Sequence, residues 1–113
     1  MTNCLFCKIA LGEIPSSKVF ENDDFLAFND IDPKAPIHIL VIPKKHYENI
    51  SELSSKDEKL TAGLMHTASK IAEQEQLTKG FRIVINTGSE GGQSVFHVHA
   101  HVLGGRSLTW PPG

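Results

Sequence analysis

Three histidines alternate with small apolar residues in His97-Val98-His99-Ala100-His101-Val102-Leu103. Along an extended strand successive side chains point to opposite faces, so Val98, Ala100 and Val102 fall on one side and all three imidazoles on the other. Neighbouring imidazoles on that face are spaced about 6.8 Å along the backbone, two steps of strand rise, close enough to share one small anion or one metal. Neutral imidazole is a good nucleophile near pH 7, and its N-phosphoryl product stays reactive enough for water to cleave. It attacks directly when its other nitrogen carries a proton held by an acceptor such as a backbone carbonyl. A second, protonated imidazole stabilises phosphoryl oxygens or protonates the leaving group. The pattern therefore supplies both roles of a phosphorus-cleaving site. The only two cysteines stand three apart in Cys4-Leu5-Phe6-Cys7. In a reducing compartment that spacing reads as a metal half-site or a redox pair before a disulfide staple. Two metal-free packing thiols on one helix face would show the same spacing.

These groups need a scaffold, and 113 residues supply one domain, residues 1–113, with one core. Lys and Arg number 11 against 13 Asp and Glu, a net charge of −2 with no basic stripe, which disfavours a polynucleotide partner. The N-terminus lacks the basic and apolar regions of a secretion signal, and no run approaches the ~18 apolar residues of a membrane span. The expected location is cytoplasmic, with no membrane partner. Lys18 to Glu21 and Phe25 to Phe28, separated by Asn22-Asp23-Asp24, predict a β-hairpin. Ile37 to Ile42, bounded by Pro36 and Pro43, predicts a central strand. Ser55-Lys56-Asp57-Glu58 has capping-box form and opens one long helix, whose apolar face is Leu60, Leu64, Ala68, Ile71 and Ala72 and which runs to about Gln76, with Gly80 as its stop. Phe81 to Asn86 and Ser94 to Leu103 are strands joined by a glycine-rich turn over Thr87 to Gln93, and a short helix spans about Leu5 to Leu11. The sum is an α+β domain, a mainly antiparallel sheet covered by one long helix.

The run from Gly91 through His97-Val98-His99-Ala100-His101 to Arg106 resembles the signature of the histidine triad superfamily. Gly12-Glu13-Ile14-Pro15, Phe28-Asn29-Asp30-Ile31, Ala35 to His46 and terminal Trp110-Pro111-Pro112-Gly113 extend the resemblance over nearly the full chain, to the branch of histidine triad nucleotide-binding proteins. The resemblance implies a five-stranded sheet joined to a second one across a homodimer. It also implies hydrolysis of purine nucleoside 5′-phosphoramidates such as adenosine 5′-monophosphoramidate to AMP and an amine. Carried over, His99 is the nucleophile, His101 the contact to the phosphoryl oxygens and leaving group, and His38 a proton relay. Ser94 and the Val95 amide fall at donors for phosphate or leaving group, Asp30 at the acceptor of both ribose hydroxyls, and Asn86 at a phosphate- and ribose-side contact. Leu5, Phe6, Ile9, Phe28 and Ile31 correspond to the apolar slot for the purine. Phe28 and Ile9 would also be buried in any version of this fold, and Asp30 would also suit a turn cap before Pro33.

Trp110 corresponds to a residue lining the leaving-group side of the partner's site. In cysteine-bearing members of the superfamily the ligands completing a zinc site with Cys4 and Cys7 correspond to His46 and His97, leaving His99 and His101 for chemistry. No organic cofactor is implied. Two other readings stand beside this one. Another branch of the superfamily cleaves dinucleoside polyphosphates but commonly carries glutamine at the position of His101. A nucleotide-binding regulator with incidental hydrolysis would use the same pocket.

Overall fold

The computed structural model describes residues 3–113. Five strands form one antiparallel sheet: β1 (Lys18–Glu21), β2 (Phe25–Asn29), β3 (Ile37–Pro43), β4 (Phe81–Val84) and β5 (Ala100–Gly104), in the spatial order β1-β2-β3-β5-β4. Three helices complete the described chain: α1 (Leu5–Ala10), α2 (Ile50–Lys56) and α3 (Glu58–Gln74). No helix among the described residues is long and apolar enough to cross a membrane.

The period of two in the strands sorts the core into two halves. Ala27, Ile39, Val41, Val98, Ala100 and Val102 point to one face and pack with Leu64, Ala68, Ile71 and Ala72 of α3. Leu26, Phe28, Leu40 and Ile42 point to the other, where Phe6 and Ile9 of α1 cover them. Each fully buried Leu, Ile or Val removes enough apolar surface to contribute about 1.5–3 kcal/mol before entropy is set against it. The hairpin expected at Asn22 forms because its Oδ1 accepts from the Asp24 and Phe25 amides at 3.0 and 2.7 Å, a side-chain turn that reverses the chain.

Several boundaries differ from those expected, among them the end of β4, which stops at Val84 and not at Asn86. The long helix does not open at Ser55, whose hydroxyl bonds back to the Glu52 carbonyl inside α2. Asn49 caps α2 through the Glu52 amide, and Asp57, with non-helical backbone angles, ends α2 and caps α3 through the Leu60 amide. Helix α3 closes at Gln74 because Gln76 takes a left-handed φ of 60°, well before Gly80. The last strand begins at Ala100, not Ser94. Extending the β3·β5 register would set Pro43 opposite Val98, but proline has no amide to donate to the Val98 carbonyl and the Pro43 carbonyl accepts from His97 Nε2, so the ladder stops and the Val98 amide goes to the Tyr47 carbonyl at 2.8 Å. The alternation persists without the ladder: Val98 is buried with Ala100 and Val102, while His97 and His99 turn toward α1.

Candidate functional site

His99 is buried, and its Nδ1 lies 2.8 Å from the His97 carbonyl oxygen. A carbonyl only accepts, so Nδ1 carries the proton and donates it, and the lone pair resides on Nε2. No partner among the described residues occupies Nε2. Burial holds His99 below the ordinary histidine range, so the ring is neutral near pH 7. Protonated at Nδ1 and free at Nε2, it has the form a nucleophile needs.

Next to it, β3 and β5 bring two more imidazoles together on the same face. The Lys34 amide donates to His38 Nδ1 at 3.0 Å, which puts the proton of His38 on Nε2. That nitrogen lies 2.9 Å from His101 Nδ1 and 3.4 Å from Asp30 Oδ2. His101 Nδ1 therefore accepts, and the proton of His101 sits on Nε2, buried and without a partner among the described residues. A buried donor left unpaired costs about 1–3 kcal/mol, so this N–H is poised for an acceptor. Burial first, then the neighbouring His99 and His38, push His101 down to about 4, and burial outweighs Asp30 in lowering His38. Asp30, His38 and His101 converge closely enough to suggest a cation site. The Lys34 amide argues otherwise, because it keeps a proton, not a lone pair, on the nitrogen of His38 that faces the group. Arg106 braces this corner by donating to the Lys34 carbonyl at 2.9 Å.

Asp30, His38, Asn86, Ser94 and His101 line one open cleft of about 440 Å³. Of the residues expected on the phosphate and ribose side, Asp30, Asn86, Ser94 and His101 are thus gathered in one place, and Val95 is not among them. Val95 and Leu5 line a second, larger cleft of about 830 Å³, which Ser94 also borders. The five apolar residues assigned to a purine slot do not share one open slot. Phe6, Ile9 and Phe28 are buried in the half-core against α1, while Leu5 is partly exposed and Ile31 is fully exposed. Trp110 is exposed, with the Arg82 guanidinium 5.9 Å from its ring.

Cys4, Cys7, His46 and His97 form the second cluster. His97 Nδ1 lies 3.3 Å from Cys4 Sγ, 3.5 Å from Cys7 Sγ and 3.1 Å from His46 Nδ1, and Cys7 Sγ lies 3.4 Å from His46 Nδ1. Metal–nitrogen and metal–sulfur bonds of ~2.0–2.3 Å in a tetrahedron imply donor separations of about 3.3–3.8 Å, so the four atoms can hold one metal ion. The protonation pattern agrees. His97 Nε2 donates to the Pro43 carbonyl at 2.7 Å, which leaves its Nδ1 lone pair facing the sulfurs. Cys4 caps α1, and its sulfur accepts the Cys7 amide at 3.2 Å. Burial and the neighbouring Cys4 raise the Cys7 thiol to about 11, and burial lowers His97 to about 4.

Some participants have no signature in the sequence. Lys34 and Pro43 act through main-chain groups, which residue type does not reveal. Gln93, read as the last turn residue, is a buried strut: its side chain accepts the Gly88 amide and donates to the Glu48 and Val95 carbonyls at 3.0, 2.7 and 3.1 Å. It fixes the loop that presents Ser94. Gly91 in that loop admits no larger residue, since a Cβ would collide with the Thr87 carbonyl.

Fold and site together define an α+β domain whose working groups are histidines on one face of an antiparallel sheet. The chain belongs to the HIT domain family, whose model matches residues 11–108. It is similar to the adenylylsulfatase HINT1 of Arabidopsis thaliana, 50% identical over 112 residues that cover 96% of this chain and 76% of that protein. It is also similar to a 14 kDa zinc-binding protein of Brassica juncea, 48% identical over 112 residues, covering 96% and 98% of the two chains. The crystal structure of a HIT family hydrolase from Legionella pneumophila superposes with a TM-score of 0.95 at 54% identity, over 98% of this chain and 100% of the other.

Proposed function

We propose that this protein is a purine nucleoside phosphoramidase that hydrolyses adenosine 5′-monophosphoramidate-type P–N bonds to AMP and an amine. The observation that carries the reading is the His99 Nδ1–H donated to the His97 carbonyl, which makes Nε2 a free nucleophile. In the first step Nε2 attacks the α-phosphorus, the N–P bond to His99 forms, and the P–N bond to the amine breaks as the amine takes up a proton from water in the open cleft. Ser94, exposed at the rim of the cleft, suits the leaving-group side. The unpaired His101 Nε2–H stabilises a phosphoryl oxygen as charge develops there, and His38 holds that proton in place from behind. In the second step water attacks the same phosphorus and releases AMP with His99 regenerated. Asp30 is assigned to the ribose hydroxyls, Asn86 to the phosphate and ribose side, the Val95 amide to the phosphate or leaving group, and Leu5, Phe6, Ile9, Phe28 and Ile31 to the base.

The metal assigned to Cys4, Cys7, His46 and His97 is zinc, supported by the two-sulfur, two-imidazole donor set and by the name of the Brassica relative. Its contribution is structural: it ties α1 to the chain leading into His99. A reducing, cytoplasmic setting keeps both thiols available to it. A homodimer joined through β4 is supported by the position of that strand at the sheet edge and by the exposed Phe81 on it. The exposed Trp110 would then approach the partner's leaving-group side.

The name of the Arabidopsis relative favours a second reading, with sulfate in place of the amine on the same α-phosphorus. A steady-state assay of adenosine 5′-phosphoramidate, its tryptamine derivative and adenylyl sulfate separates the two. Efficient turnover of the phosphoramidates that His99→Ala abolishes, with AMP binding kept, is the expected result. Turnover of adenylyl sulfate alone supports the second reading, and slow turnover of all three supports a regulator.

A further inference from the structure

The loop between β2 and β3, residues 30–36, carries two groups of the site: the Asp30 carboxylate and the Lys34 amide, which donates to His38 Nδ1 at 3.0 Å. Residues 31–34 are all exposed, so hydrogen bonds and not packing hold them. The Asp32 amide donates to Asp30 Oδ1 at 2.8 Å, and the Asp30 amide donates to the His38 carbonyl at 3.0 Å. Among the described hydrogen bonds, Arg106 supplies the one that ties residues 31–34 to a segment other than β3: its Nη2 donates to the Lys34 carbonyl at 2.9 Å. Its Nη1 donates to the Ser107 carbonyl at 2.9 Å, which sets the plane of the guanidinium. Gly105 makes this approach possible. It takes a left-handed φ of 91°, and a Cβ there would stand 3.0 Å from Pro36 Cβ, so the chain leaving β5 turns directly against the loop.

Arg106 does not line the cleft that holds His101; it borders a separate one with Lys79 and Ser107. Its route to the reacting groups therefore runs through Lys34, and that route is continuous. Arg106 grips the Lys34 carbonyl, the Lys34 amide keeps the proton of His38 on Nε2, and that proton, 2.9 Å from His101 Nδ1, leaves the His101 Nε2–H for the cleft. Loss of the grip frees Lys34 to carry its amide off His38 Nδ1. Without that donor His38 holds its proton on either nitrogen, and His101 follows.

We propose that Arg106 is a positioning residue for the His101 donor, acting through the main chain of Lys34 on the tautomer of His38. The inference rests on the reading of His101 as the group that stabilises the phosphoryl oxygen. A residue that orients such a donor acts on kcat, whereas one that touches the substrate in its ground state acts on KM.

The test compares Arg106→Met, which keeps the apolar stem and loses every donor, with Arg106→Lys, which keeps the charge but offers one point donor in place of the fork, in the full-length protein as purified. Two sets of quantities are read: kcat and KM on adenosine 5′-phosphoramidate, and the ¹⁵N shifts of the His38, His99 and His101 rings. For Arg106→Met the expected result is a kcat lower by about 3- to 10-fold with KM within about twofold. The His38 and His101 shifts should move from a single Nε2–H tautomer toward an average of two, while His99 keeps its Nδ1–H form. Arg106→Lys should fall between Arg106→Met and the parent in both readouts. Unchanged His38 and His101 shifts would overturn the proposal, and so would an unchanged kcat or an equal disturbance of all three rings. A raised KM with kcat preserved would overturn it in favour of a substrate contact. If Arg106→Met fails to fold, Arg106→Gln serves in its place with the same expected split. If the parent protein turns over no phosphoramidate, the proposed function fails, while the ring shifts still decide whether Arg106 sets the two tautomers.

Discussion

His38 Nε2 lies 2.9 Å from His101 Nδ1, and the Lys34 amide on the far nitrogen of His38 decides which of the two carries the proton between them. One main-chain N–H thus sets the tautomer of both rings and directs the His101 Nε2–H toward the cleft. The arrangement depends on His38 having two nitrogens with opposite roles.

Removing His38 should leave His101 free to exchange tautomers. For His38→Ala the expected outcome is a kcat lower by about 10-fold with KM changed less than threefold, since the loss is of an oriented donor and not of a substrate contact. Steady-state kinetics on adenosine 5′-phosphoramidate check this, and an unchanged kcat would mean that the relay is not used.

Acid should weaken both folding and turnover, and the sign follows from burial. His101 is held at about 4 in the folded chain against an ordinary 6.5, so it stays neutral while the unfolded chain takes up a proton. The associated stability is complete above about pH 6.5, declines as the pH falls, and is gone below about 4, with a limiting slope of about 1.4 kcal/mol per pH unit for one such group. Urea unfolding at pH 7, 5.5 and 4.5 measures the slope, and His101→Gln should flatten part of it. Because His99 is also lowered, the acid limb of kcat/KM belongs below pH 6.5.

Much of this was legible in the sequence because period and chemistry pointed the same way. The alternation at Val98, Ala100 and Val102 predicts a buried face, and that face forms even though the ladder stops at Ala100. What the alternation could not show is that Pro43 breaks the ladder and that its carbonyl then serves His97. Ser55 misled because three residues later stands an acid; Asn49 with Glu52, and Asp57 ahead of Leu60, carry comparable cap chemistry, and packing of Leu53 and Leu64 selects between them. Gly63 in mid-helix has no local reason at all. It is explained only by the Phe25 ring, which a Cβ there would approach to 2.9 Å.

The Cys4, Cys7, His46 and His97 cluster should carry about one zinc per chain after purification without chelator. Cys4→Ser should lose most of it, and chelator should lower the melting temperature by several degrees, because metal that binds only the folded chain stabilises it. Elemental analysis with thermal unfolding checks both, and zinc near zero in the parent would sink the assignment.

The most direct test of the central claim is to mix the protein with adenosine 5′-phosphoramidate, quench within a turnover, and locate the nucleotidyl group by mass spectrometry of the digested chain. The expected result is an adenylyl adduct on the peptide carrying His99, assigned to that residue and absent in His99→Ala. An adduct assigned to His101 or His38, or full turnover by His99→Ala, would contradict it.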